Sequence, residues 1–255
     1  NPSPGEKTFR GMLYGPAQEP NDPALNARID QFAENRLPEI NLRADLKTQQ
    51  IYLNYALHAI DDDLLASRQS EAMQRISDLG QWRQRVHDAP TLLAGAQFFR
   101  ARGMLDESLR WIGFAREANP TSREQKDIYV NLGAVYRQAG KLSSALEALG
   151  QALEIDPNYE PARYNYLLVE AETALGRQDW ETALNDFVEL TDLEPDNPLP
   201  YYNAAVICDK LPGREEDALK YYRTFLMMAR GEYPQAIRRA RERIESLSTT
   251  PAKSK

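Results

Sequence analysis

Residues 128–157, IYVNLGAVYRQAGKLSSALEALGQALEIDP, constrain the chain most. Tyr129, Leu132, Gly133 and Tyr136 fall at i, i+3, i+4 and i+7, one stripe of a helix. Ala145, Leu149 and Ala152 make a second stripe after a break at Gly140, and Pro157 ends it. The spacing predicts two antiparallel helices with small residues where their backbones come closest. The pattern recurs. Pro120 to Pro157 spans 37 residues, Pro157 to Pro195 spans 38, and Ala183 to Ala218 spans 35. A chain built this way stacks similar helix pairs in a row.

The eight residues Tyr129, Leu132, Gly133, Tyr136, Ala145, Leu149, Ala152 and Pro157 resemble the tetratricopeptide repeat. That family has a period of about 34 residues. The resemblance implies an all-α, right-handed superhelical solenoid of about five antiparallel helix pairs with a C-terminal capping helix. Small insertions in each repeat would account for the longer spacings.

Taken in order, residues 1–24 form a Pro/Gly-rich extended arm, with Pro2, Pro4, Pro16, Pro20 and Pro23. Within it Phe9, Met12, Leu13 and Tyr14 are candidates for a docking arm. A helix is expected from Asp22 to about Arg36, with Leu25, Ile29 and Phe32 on one stripe. Residues 25–248 make the repeat domain. Its first repeat, 40–86, is degenerate: a long helix from Ile40 to Ile60 and a partner from about Asp63 to Val86. End repeats of a solenoid are often atypical.

Further repeats are expected at about 89–122, 126–159, 160–197 and 198–231. In the second, Phe99, Ser108, Ile112, Ala115 and Pro120 take the family positions, with Gly103 at the turn. In the fourth these are Ala171, Ala174, Ala183, Phe187 and Pro195, with a first helix lengthened by a turn. The fifth turns at Pro212-Gly213 and returns through Ala218, Tyr222 and Phe225. Residues 234–248 form the capping helix, its apolar stripe Ala236, Ile237, Ala240, Ile244 and Leu247 set against Arg238, Arg239, Arg241 and Arg243. Residues 249–255 form a loose tail.

Composition narrows the function classes. A net charge of -7 argues against nucleic acid as a partner, because phosphate contacts need a cationic surface. The lone Cys208 permits no internal disulfide, and two histidines leave little scope for zinc. No window is apolar enough to span a membrane. The start at Asn1-Pro2-Ser3-Pro4 is either a trimmed terminus or a mature one. In style it resembles the residues after the acylated cysteine of bacterial lipoproteins, which would place the chain at the cell envelope with a lipid anchor upstream.

Chemistry has little to work with. His58 beside Asp61, Asp62 and Asp63 reads as a helix end entering a solvated acidic turn, and Cys208 as a core residue. Glu170, Glu172, Asp192, Glu194, Asp196 and Glu215 to Asp217 read as solvated faces and turns, because they lack a calcium-loop spacing. No catalytic serine motif, phosphate-binding loop, dinucleotide glycine pattern or zinc signature occurs. The expectation is therefore no enzyme, no cofactor and no metal.

The resemblance implies instead that the first helix of each pair lines a concave face where a peptide lies. The residues it brings there are Asn54, Gln97, Arg100, Asn131, Ala134, Arg137, Tyr164, Asn165, Tyr202 and Asn203, with Leu53, Leu57, Val130 and Val206 beside them. The recurring amides of Asn54, Asn131, Asn165 and Asn203 suit an extended peptide backbone, and suit bonds within the array equally. The chaperone-binding subtype uses lysines at its two-carboxylate clamp. Arg100, Arg137 and Asn131 occupy those helices here without them. The expected function is an interaction scaffold for a protein segment, of the kind that assembles a bacterial envelope complex; the alternative is a structural subunit held in a larger complex through its arm and repeat surfaces.

Overall fold

The computed structural model describes residues 46–84 and 86–249. The arm residues Phe9, Met12, Leu13 and Tyr14, the 22–36 helix and the 249–255 tail beyond Thr249 lie outside the described residues. Eleven helices occur among those described. They are α1 (Leu46–Leu65), α2 (Gln69–Arg83), α3 (Ala89–Ala101), α4 (Leu105–Glu117), α5 (Ser122–Gln138), α6 (Leu142–Ile155), α7 (Glu160–Gly176), α8 (Trp180–Leu193), α9 (Pro198–Cys208), α10 (Glu215–Met228) and α11 (Pro234–Thr249). The chain divides into two compact units, the first ending at Val86 and the second starting at His87.

In the first unit α1 packs on α2, burying Leu53, Leu57 and Ile60 together with Ala72, Ile76 and Leu79. The helix pair is the expected one, but its turn lies later. Helix α1 runs through Asp61, Asp62 and Asp63 to Leu65. Asp63 is buried rather than solvated, taking Arg68 Nη2 at 2.6 Å and Arg75 Nε at 2.6 Å. Those two guanidiniums hold its carboxyl below the usual aspartate range. A charge with two partners tolerates a buried helix end, whereas three unpaired aspartates would have stopped the helix.

In the second unit the pairs follow one another: α3 with α4, α5 with α6, α7 with α8, α9 with α10, and α11 against α10. Each pair also packs on the next through α4–α5, α6–α7 and α8–α9. The pairing depends on close approach. A Cβ placed on Gly133 would lie 2.5 Å from Leu149 Cγ, so only glycine lets α5 and α6 meet at this depth. Gly95 does the same for α3 and α4, where a Cβ would lie 2.1 Å from the Trp111 ring. One residue on, the buried Ser108 donates its hydroxyl to the Ala96 carbonyl at 2.7 Å. The Ser108, Ile112 and Ala115 positions are all buried, as their register requires.

The first three turns between paired helices of this unit, and the α1–α2 turn, close in the same way. Arg68, Met104, Lys141 and Asp179 each donate their backbone N–H to the carbonyl five residues back, the helix-ending geometry that needs a left-handed residue just before. Gly103 and Gly140 supply it at φ +73° and +72°, and Ser67 and Gln178 adopt it without glycine at +58° and +59°. Helix α5 starts at Ser122, four residues ahead of the expected 126. Thr121 and Glu124 form a reciprocal capping box there, so the added turn comes already capped. Helix α7 has 17 residues, the same as α5, against 13 in α3, so the added turn expected of it alone is shared by its neighbour.

The core runs on through Leu167, Phe187, Leu190, Ala205, Cys208, Tyr222 and Phe225. Cys208 is buried, and burial pushes its thiol up. Ala240 of α11 is fully buried, and Ile237, Ile244 and Leu247 pack on the same core, closing it. Arg243 reaches back to Asp209 with Nε and Nη2 both at 2.6 Å, so one arginine of that basic face is structural. Helix α8 carries a misfit: Asp186 is 8% exposed, and its Oδ2 is buried without a hydrogen-bond partner. Burial, then the charges of Glu170, Glu189 and Asp179, push its carboxyl up to about 6.

Two outcomes follow from this packing. Gly133→Ala should lower stability by about 1–3 kcal/mol in urea melts, and Leu149→Ala in the same chain should remove most of that specific penalty. A normal melt for the single variant would show that the α5–α6 contact is not at Gly133. The folded chain takes up a proton on Asp186 between about pH 4 and 6, where an unfolded aspartate of ordinary value 3.8 is already ionised. This residue therefore favours folding as the pH falls through 6 and opposes it above. Asp186→Asn should raise stability at pH 8 by ~2 kcal/mol and change it little at pH 4, in paired thermal melts.

Candidate functional site

Helices α3, α5 and α7 are the first members of three consecutive pairs, and α5 packs on both α3 and α7. A groove crosses them, lined by Gln97 and Arg100 of α3, Val130, Asn131, Ala134, Arg137 and Gln138 of α5, and Asn165 and Glu172 of α7. Side chains at intervals of three and four on each helix point the same way, so each helix offers the groove one stripe. Six of the ten residues expected on the concave face meet here: Gln97, Arg100, Asn131, Ala134, Arg137 and Asn165.

The other four lie elsewhere. Tyr164 is half-buried against the core, and its hydroxyl accepts from Asn197 Nδ2 at 3.0 Å. Tyr202 is half-buried against the core of the fifth pair, its ring 5.0 Å from Phe225 and 6.1 Å from Tyr222. Asn203 is half-buried on the same helix, α9. Asn54 is half-buried on α1 in the first unit, where its neighbours Leu53 and Leu57 are core residues rather than groove residues.

The asparagines divide their amides. Asn131 Nδ2 donates to the Asp127 carbonyl at 2.8 Å, and Asn165 Nδ2 to the Pro161 carbonyl at 2.7 Å. Each bond runs four residues back along its own helix, so part of each amide serves the array itself. Gln138 Nε2 donates to the Arg100 carbonyl at 3.2 Å, tying the ends of α5 and α3.

The two arginines differ. Arg137 is clasped by Glu172, with Nε 3.0 Å from both carboxylate oxygens and Nη2 2.6 Å from Oε1. Both side chains are about one-third exposed, so water screens the pair in part. Arg100 has no such partner among the described residues, and its Nε is buried without an acceptor. Burial first, then the charge of Arg137, push its guanidinium below the ordinary arginine value.

Glu172 and Gln138 were missed from sequence. The local neighbours of Glu172 mark only a solvated helix face. Its signal was a charge opposite to that of Arg137, 35 residues on, one repeat period away. Among the described residues no three His, Cys, Asp or Glu groups converge to hold a metal, and no helix is long and apolar enough to cross a membrane.

Removing the Arg137–Glu172 clasp should show a coupling of about 0.5–1 kcal/mol in a double-mutant cycle of Arg137→Ala and Glu172→Ala. Strictly additive losses would mean that the pair does not hold α5 to α7.

The tetratricopeptide repeat model matches residues 127–159, the α5–α6 pair. No curated protein matches the sequence. Among solved structures, YrrB, described as a TPR protein with an unusual peptide-binding site, is 18% identical, covering 86% of this chain and 98% of its own, with a TM-score of 0.48. MamA is 16% identical, covering 69% of this chain and 96% of its own, with a TM-score of 0.48. A double mutant of MamA RS-1 is 13% identical, covering 71% and 96%, with a TM-score of 0.49. These scores lie below 0.5, and the stacked helix pairs themselves establish the fold. The glycine-mediated α5–α6 contact falls inside the matched stretch, so this helix pair is similar to a tetratricopeptide repeat in both sequence and packing.

Proposed function

We propose that this protein is a non-enzymatic interaction scaffold whose groove across α3, α5 and α7 holds an extended segment of a partner protein. One observation carries the reading: three consecutive first helices bring Gln97, Arg100, Asn131, Arg137, Asn165 and Glu172 to one open groove. Such a surface combines donors, acceptors and charge without apolar depth. It suits main-chain recognition of a peptide better than capture of a small apolar ligand. Ala134 at its centre keeps the floor low enough for a backbone to approach.

The test is site-specific crosslinking on the full chain. A photoreactive side chain at Ala134 should capture a protein from an extract of the source cells, and the same group at the exposed Glu147 of α6 should not. Arg137→Glu with Asn131→Ala should abolish that capture while helicity stays intact. Capture unchanged in the double variant, or found only from position 147, would place recognition elsewhere. Deleting residues 1–24 separates the arm from the groove. Capture lost with the arm would make the arm the binding element and the repeats its support.

A further inference from the structure

We infer that the groove selects an acidic segment, with one Asp or Glu side chain of the partner seated on Arg100 while Glu172 holds Arg137 against a second. This inference rests on the groove being the binding face. The nine lining residues carry two positive charges and one negative, so the groove is cationic by one in a chain of net charge -7. The negative charge is already committed. Glu172 meets Arg137 through three short contacts, in the side-by-side geometry that a ligand carboxylate would use.

Arg100 is the uncompensated cation. Its Nε is buried without an acceptor, and the neighbouring charge of Arg137 adds repulsion that an incoming carboxylate would relieve. A half-buried guanidinium without a carboxylate partner gains more from an anion than a fully solvated one does. The length of the segment follows from spacing. Adjacent helices lie about 8–10 Å apart and an extended chain advances about 3.3 Å per residue. Crossing from α3 to α7 therefore takes about six residues. The acidic residue lies over α3 and Glu172 faces the far end, while the amides of Asn131 and Asn165, about two turns earlier on their helices, flank that path. A second acidic side chain there meets the carboxylate of Glu172 and is disfavoured. Glu172 is thus a specificity-determining residue, and it sets how many charges the ligand carries.

The experiment uses the full chain and an array of acetylated, amidated hexapeptides of mixed sequence. Each position in turn is Glu, Gln, Lys or Ala, and the dissociation constants of the binders are measured by fluorescence polarisation. Wild type should bind a peptide with one Glu about tenfold more tightly than its Gln counterpart. Arg100→Gln should erase that ratio while leaving the Gln peptide bound, with circular dichroism confirming the fold, and Arg100→Lys should keep part of it. Glu172→Gln should admit a second Glu, tightening two-Glu peptides about tenfold relative to wild type.

Hexapeptides that bind with no Glu preference, or a preference that survives Arg100→Gln, overturn the acidic selection and leave the groove reading standing. A preference for free C-terminal peptides over amidated ones overturns the side-chain assignment in favour of a terminal carboxylate. Failure of every hexapeptide on every variant overturns the groove reading itself and this inference with it.

Discussion

The close contact of Gly133 with Leu149 is the constraint on which the second unit depends. Helices that meet at this depth bury Leu149 completely and place Ala145 and Ala152 at the contact with no exposure at all. One fully buried leucine is worth roughly 1.5–3 kcal/mol, and the same geometry recurs in the preceding pair with Gly95 and Trp111. Close pairing fixes where each first helix lies, and three such helices side by side leave the groove. The groove is a consequence of backbone approach on the opposite face of the same helices.

Charges then decide details that packing leaves open. Several ion pairs reach about one repeat along the chain: Lys126 to Asp156, 30 residues apart, closes one helix pair, while Arg137 to Glu172 and Asp209 to Arg243, 35 and 34 apart, link a pair to the next element. Each joins structurally adjacent elements that local sequence cannot show to be adjacent. Among the described residues of the second unit, Asp186 and Arg100 each keep a buried charged-group atom without a hydrogen-bond partner. Asp186 is buried among like charges, and Arg100 is half-buried beside another arginine. The first costs stability inside the array. The second lies at the groove, where an outside partner can balance it.

Much of the fold was legible because the repeat signals are short-range. Gly103 and Gly140, Pro157, and the Ala-large-Ala triplets mark turns and contacts within about 34 residues, and the observed helices of the second unit follow them. The errors had local physical causes. Asp61 to Asp63 looked like a turn because the two arginines that neutralise Asp63 come after it. The start of α5 moved to Ser122 because a capping box outweighed the repeat template. Ser67 and Gln178 occupy left-handed positions that a glycine search passes over.

The sequence by itself determined the helix pairs and their order, because periodicity and small residues act within one or two helices. It also placed Gln97, Arg100, Asn131, Ala134, Arg137 and Asn165 on one surface through their common register. Only the tertiary structure decided which of those charges are free to act. Arg137 and Arg100 look equivalent in the sequence, yet one is clasped by Glu172 and the other is not. That difference comes from the lateral packing of α5 against α7, which sets the reach of a side chain across a helix boundary. Tyr202 shows the same limit: its register faced the groove, but the neighbouring Phe225 and Tyr222 offered its ring a better-buried place.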